Sequence, residues 1–272
     1  MKKTVAVCAL GAAVLLAGCQ SVNTTNGGAV GVERKQYMLT MLSPQELDQM
    51  YAQSYQQTLS EASAKGEVDK TSANAKRVQA IANRLIAQAP FFRPDAAQWQ
   101  WQVNLIKSPQ INANCGPGGK IFVYSGLIDT LKLTDDELAA VMGHEIAHAL
   151  REHSREAISQ AYAVGLTKQA AVALLGLGET TQQLTDGAFK YGMTLPNSRG
   201  NENEADLIGL ELSARAGYNP SAAISLWNKM TAASEGAPPE FMSTHPADER
   251  RIASLQAAIP KVMPLYQQSK KS

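Results

Sequence analysis

The chain has 272 residues, 44% of them hydrophobic and 18% charged, enough apolar material for a sizeable core, so a disordered chain and a collagen-like fibre are excluded. Its 25 Lys and Arg nearly balance its 24 Asp and Glu. No basic stretch is long enough to follow a phosphate backbone, which argues against nucleic acid as a partner.

Lys2 and Lys3 precede an apolar stretch over residues 4–17, the layout of an export signal and too short to span a membrane stably. Leu16-Ala17-Gly18-Cys19 follows and resembles the lipobox of bacterial lipoproteins. Residues 1–18 are therefore expected to be a cleaved signal peptide, with Cys19 lipid-modified as the mature N-terminus, so that acyl chains anchor the protein without spanning the bilayer. Gln20 stands where many inner-membrane lipoproteins carry Asp, and this implies the periplasmic face of the outer membrane. Cys8 leaves with the signal and Cys19 is taken by lipid, which leaves Cys115 without an intramolecular partner. Residues 19–35 are small and polar and read as the lipidated start and a flexible tether. Residues 36–272 read as one domain with an N-terminal helical extension.

Ser43-Pro44-Gln45-Glu46 is a capping box with Pro at the first helical position, opening a helix to about Gly66. A second helix fits Ser72 to Ala89, with Val78, Ile81, Ala82, Leu85 and Ile86 on one face. Trp99, Trp101, Val103 and Leu105 then alternate with Gln100, Gln102 and Asn104, the pattern of a half-buried strand. A second strand, Ile121 to Tyr124, follows the turn-rich Cys115-Gly116-Pro117-Gly118-Gly119. Thr134-Asp135-Asp136-Glu137 caps a helix expected to run through Ala149. Glu156 to Gly178 reads as a core helix, since the uncharged run after Lys168 is about half of a membrane span. Further helices fit Arg199 to Ala216, Pro220 to Ala233 and Asp248 to Ala258. The fold class is α+β, mostly helical with a small sheet.

His144-Glu145-Ile146-Ala147-His148 places two imidazoles one helical turn apart on one face, so both can bind one ion. Zinc suits neutral imidazole, and a catalytic site adds a third protein ligand and a water, whose proton Glu145 lies ready to take. A metzincin needs a glycine at position 151 and a histidine at position 154, where this chain has Arg151 and Ser154. His153 is one residue out of register and reads as a solvated or capping histidine at the helix end. A glutamate from a later helix is the other option: Glu202 and Asp206 share a helical face, Glu202 as a ligand and Asp206 as acceptor from a ligand histidine's outer nitrogen, while Glu204 points elsewhere.

Four segments occur in order: Gly118-Gly119-Lys120-Ile121-Phe122-Val123-Tyr124-Ser125-Gly126-Leu127; the His-Glu-Ile-Ala-His helix; Leu195-Pro196-Asn197-Ser198-Arg199 with Glu202-Asn203-Glu204-Ala205-Asp206; and Pro238-Pro239-Glu240-Phe241-Met242-Ser243-Thr244-His245-Pro246. Over roughly residues 75 to 260 the chain resembles the gluzincin family of HtpX and CAAX-prenyl endopeptidases. Its soluble-domain branch, the mitochondrial OMA-type protease and bacterial periplasmic lipoproteins, is the most similar. The resemblance implies a zincin-like fold and one Zn2+ per chain held by His144, His148 and Glu202. It further implies Glu145 as general base and Asp206 as the partner of a ligand. Gly118, Gly119, Ile121 and Val123 are expected to form the edge strand beside the zinc, pairing with an extended substrate. His245 is expected near the metal, either stabilising an oxyanion or filling the open position in a resting form. Cys115 reads as a small buried residue rather than a zinc-blocking thiol. The expected activity is hydrolysis of peptide bonds in unfolded or misfolded envelope proteins, with the outer-membrane assembly machinery a candidate partner. The alternative is a chaperone-like assembly factor that rarely cuts.

Overall fold

The computed structural model describes residues 19–40, 42–162, 198–234, 239–246 and 249–271. The expected signal peptide, most of the helix read from Glu156 to Gly178, and Leu195-Pro196-Asn197 lie outside them.

The segment expected to be a flexible tether is docked. Strand β1 (Cys19–Val22) pairs antiparallel with β2 (Gln36–Leu39), Cys19 opposite Leu39. Val30 and Val32 between them are buried in the main core. The Val30 N–H donates to Glu211 at 3.1 Å, and Gln36, fully buried, donates to the Arg151 carbonyl at 2.6 Å. The order of this segment comes from partners more than a hundred residues away, which composition does not report.

Helix α1 (Pro44–Ala64) starts at Ser43, and both arms of the capping box with Glu46 are formed. It lies on a four-stranded sheet of order β3-β4-β6-β5, where β3 is Val68–Asp69, β4 Gln102–Ile106, β5 Ala113–Gly116 and β6 Lys120–Tyr124. β4 and β6 are parallel and the other pairs antiparallel. The strand expected from Trp99 begins only at Gln102, because a 3-10 turn runs to Gln98 and Trp99 caps it, but Trp99, Trp101, Val103 and Leu105 do all pack on the main core, joined there by Ile121, Val123, Ala113 and Cys115. Phe122 and Ile106 form a smaller cluster with Tyr55 of α1, whose ring stacks on Phe122 at 4.1 Å.

The strand expected at the edge is an interior one. Ile121 and Val123 sit on β6, which is paired on both sides, and Gly118 and Gly119 form its preceding turn with φ of +67° and +78°. Of the two edge strands, β3 and β5, the one that packs against the helix carrying His144 and His148 is β5. Its Ala-Asn-Cys-Gly sequence has little intrinsic strand preference and reads as part of the turn; pairing with β6 makes it a strand.

The helices α2 (Ala73–Ile86), α3 (Ala89–Phe92), α4 (Ser125–Leu131) and α5 (Asp135–Leu150) follow, then α6 (Arg199–Arg215), α7 (Ala222–Ala233), α8 (Glu240–Thr244) and α9 (Glu249–Ser269). α9 runs past the expected Ala258 and through Pro260 and Pro264, because Leu255, Ala258 and Val262 stay buried along one side. The fold is α+β, with α5 at its centre and packed on β5, α2, α6 and α7. Among the described residues no helix is long and apolar enough to cross a membrane.

Candidate metal centre

Thr134 and Glu137 close both arms of the capping box that starts α5, and Asp135, Asp136 and Glu137 complement its positive end. One turn of this buried helix separates His144 and His148, whose Nε2 atoms stand 3.0 Å apart. α6 crosses at close range because both helices carry glycine at the contact: a Cβ on Gly209 would lie 2.7 Å from the His144 backbone nitrogen, and one on Gly143 2.9 Å from the Gly209 carbonyl. That approach brings Glu202 to the imidazoles, its Oε1 3.4 Å from His148 Nε2 and its Oε2 3.6 Å from His144 Nε2. His245, just after α8, completes the group with Nδ1 3.0 Å from Glu202 Oε1 and 3.3 Å from His144 Nε2. All four residues are buried, and one ligand atom from each lies within 4.8 Å of the others.

The hydrogen bonds around the group decide where its protons are. Asp206 Oδ1 accepts from His144 Nδ1 at 3.0 Å, and Arg251 holds the same carboxylate with contacts of 2.7 and 2.8 Å. The proton of His144 is therefore on Nδ1, and its Nε2 is a bare lone pair aimed at the ring of His148. Glu202 Oε2 and Glu145 Oε1 are buried without a hydrogen-bond partner. Arg251 Nη1 is 2.7 Å from Glu202 Oε2, near enough for charge pairing but off the hydrogen-bonding direction. Lone pairs and carboxylate oxygens converging in a buried site call for a cation. Zinc fits: bonds of about 2.0–2.1 Å in a tetrahedron set ligands about 3.3 Å apart, close to the contacts observed, and His, His and Glu are zinc donors.

Burial lowers the pKa of His144 and of His148 and keeps them neutral, as ligands must be. Burial would raise Glu202, yet the imidazoles of His148 and His245 beside it hold its carboxyl far below the usual range. Glu145 is raised by burial, only partly opposed by the imidazoles of His245 and His148 nearby, and so is the more basic carboxylate. For His245, burial opposes the charged form, but the Glu145 carboxylate and the bond to Glu202 raise it overall.

The structure thus brings together His144, Glu145, His148, Glu202, Asp206 and His245. It leaves Gly118, Gly119, Ile121 and Val123 outside this group and puts β5 beside α5 instead. Cys115, on β5, is buried with a thiol pushed up by burial and is not among the ligands, while its backbone hydrogen-bonds Glu145. Glu204 does point elsewhere, toward Arg34, Arg151 and His153. His153 is neither solvated nor a cap: it is 1% exposed, and its Nδ1 lies 2.8 Å from His148 Nδ1. Arg251 had no signal in the sequence, being one base among many, and only the packing of α9 on α6 brings it to the site.

A His-Glu-x-x-His helix joined by a glutamate from a second helix defines a zincin-like domain of the gluzincin type. The chain belongs to Peptidase family M48, whose model matches residues 72–259. It is similar to the mitochondrial metalloendopeptidase OMA1 of Schizosaccharomyces pombe, 40% identical over 164 residues, which are 60% of this chain and 48% of that protein. The human mitochondrial metalloendopeptidase OMA1 is 31% identical over 182 residues, 62% of this chain and 34% of that protein. The beta-barrel assembly-enhancing protease of Escherichia coli (strain K12) is 28% identical over 204 residues, 71% of this chain and 40% of that protein. The chain spans about half the length, or less, of these curated relatives.

Proposed function

We propose that this chain is a zinc metalloendopeptidase acting on unfolded segments of cell-envelope proteins. The observation that carries the reading is Glu145: a buried carboxylate whose Oε1 has no hydrogen-bond partner and lies 3.4 Å from His245 Nε2, next in sequence to one ligand and on the same helix as both histidines. A zinc ion held by His144, His148 and Glu202 would supply Lewis acidity, polarising the scissile carbonyl and making water a stronger acid. Glu145 takes the proton of the attacking water and delivers it to the leaving amine nitrogen, a task suited to a carboxylate whose basicity burial has raised. Asp206 and Arg251 hold His144 in the tautomer that leaves Nε2 free.

β5 offers the substrate platform. The Asn112 carbonyl accepts from the Tyr124 N–H at 3.2 Å, so by the antiparallel alternation Ala113 and the Cys115 carbonyl turn away from β6, while the Cys115 N–H on that side donates to Glu145. An extended chain can add there by backbone hydrogen bonds, which favours locally unfolded substrates over rigid ones. The lipobox-like Leu16-Ala17-Gly18-Cys19 supports lipid anchoring at Cys19, and with Gln20 it supports the periplasmic face of the outer membrane. The similarity to a beta-barrel assembly-enhancing protease of Escherichia coli supports a link to outer-membrane assembly.

His245 supports a second, latent state in which the protein binds clients and cuts rarely, because its Nδ1 stands among the ligand atoms. In a cleavage assay on an unfolded protein, His245→Ala is expected to raise the rate. A lost rate with zinc retained would instead assign His245 to transition-state stabilisation. Chelator is expected to abolish cleavage; cleavage that survives zinc removal would sink the proposed activity.

A further inference from the structure

The two ligand histidines are supported by different means. His144 bonds directly to a carboxylate, Asp206, whereas His148 bonds to another imidazole. His148 Nδ1 and His153 Nδ1 are 2.8 Å apart, and His153 Nε2 is 3.2 Å from Glu204 Oε2. Two ring nitrogens at that distance share one proton, so one donates and the other accepts. Glu204 settles which. Its carboxylate receives Arg151 Nε at 2.9 Å and Arg34 Nε as well, so it is an acceptor, and the His153 proton must sit on Nε2. His153 Nδ1 is then the acceptor, the His148 proton sits on Nδ1, and His148 Nε2 is left bare toward Glu202 and His144.

The contact depends on a break in the helix. Five residues along an unbroken α-helix turn a side chain by about 140°, off the face of the first. Glu152 instead takes φ of +52°, rare for a side chain of its size, and its carboxylate is tied to Arg93 at 2.6 Å and Arg155 at 2.9 Å. The reversed chain brings His153 back against His148. Behind it, Glu204 is held from the N-terminal segment by Arg34, which also pairs with Glu156 at 2.6 Å.

We infer that His153 is a positioning residue for the metal ligand His148: it fixes that ring's tautomer through a relay ending on Glu204, Arg151 and Arg34. The inference rests on the metal site proposed above and adds a residue, and a segment of chain, on which its affinity depends.

Zinc affinity of the full chain, measured by competition with a chromogenic chelator, tests it. His153→Leu removes the acceptor and is expected to weaken zinc binding about 10- to 100-fold. His153→Asn can put a side-chain oxygen where Nδ1 stood and is expected to stay within a few-fold of wild type. His153→Gln carries its amide one carbon further out, toward Glu204, and is expected to bind like the Leu variant. Affinity unchanged in a folded Leu variant would overturn the inference. If the Leu variant does not fold, the amide pair decides: Gln binding as well as or better than Asn would overturn it, because packing alone does not distinguish where the acceptor sits. A wild-type chain that bound no zinc would overturn the reading of the site itself.

Discussion

Each ligand histidine carries its proton on the nitrogen that faces the protein, so the cost of orienting the lone pairs is met by buried partners before any metal arrives. Asp206 is the partner of His144 and accepts from Arg251 in turn. Asp206→Ala is expected to lower zinc affinity about 10- to 100-fold in chelator competition. Affinity equal to wild type would show that the tautomer is held some other way. At this scale the sequence was informative wherever spacing is local: His144, Glu145 and His148 lie on one turn, and Glu202 and Asp206 on another. It misplaced His153 as a solvated or capping residue, because the left-handed break at Glu152 cannot be read from a glutamate, and it was silent on Arg251, which arrives through the packing of a distant helix.

At the scale of elements, the site is a crossing of α5 and α6 made possible by Gly143 and Gly209. A methyl group on Gly209 would meet backbone atoms of Gly143 and His144 at 2.7–2.8 Å, with no flexible side chain to give way. Gly209→Ala is expected to destabilise the fold by about 1–3 kcal/mol and to move Glu202 off the histidines. Denaturant melts would read the first effect and zinc affinity the second; a variant as stable and as tight as wild type would contradict the close crossing. The capping boxes at Ser43 and Thr134 and the alternation that becomes β4 were legible because capping and period are properties of adjacent residues, though the strand starts at Gln102 and not at Trp99. The edge strand was misplaced because β5 has no pattern of its own. Its four residues become a strand only by pairing with β6, and that pairing turns β6 into an interior strand.

At the scale of the molecule, the N-terminal segment belongs to the domain. Val30 and Val32 enter the core, and Arg34 and Gln36 reach the buried carboxylates behind the metal centre. A soluble form should therefore begin near Gln20, and one beginning at Val32 is expected to melt at lower temperature for lack of β1 and Val30. Equal melting would place the segment outside the cooperative unit. The same docking sets a pH dependence. Burial alone would raise Glu156, but bonds from Arg34 and Gln36 hold its carboxyl below the ordinary value of 4.5. The stability it lends is thus full above that value and is lost as the pH falls through the lower folded value. Glu156→Gln is expected to flatten this acid loss in thermal melts at decreasing pH. Parallel curves for the two proteins would remove Glu156 from the account.

A buried Glu145 with no hydrogen bond to one oxygen, beside a zinc site, is what makes this chain a peptidase. The most direct measurement compares the full chain with its Glu145→Gln variant, both loaded with equal zinc, on an unfolded protein substrate. The account predicts cleavage by the wild type that chelator abolishes, and a loss of cleavage in Glu145→Gln with zinc binding intact. Equal cleavage by both proteins, or a wild type that binds zinc and the unfolded chain and cuts neither before nor after His245→Ala, would contradict it.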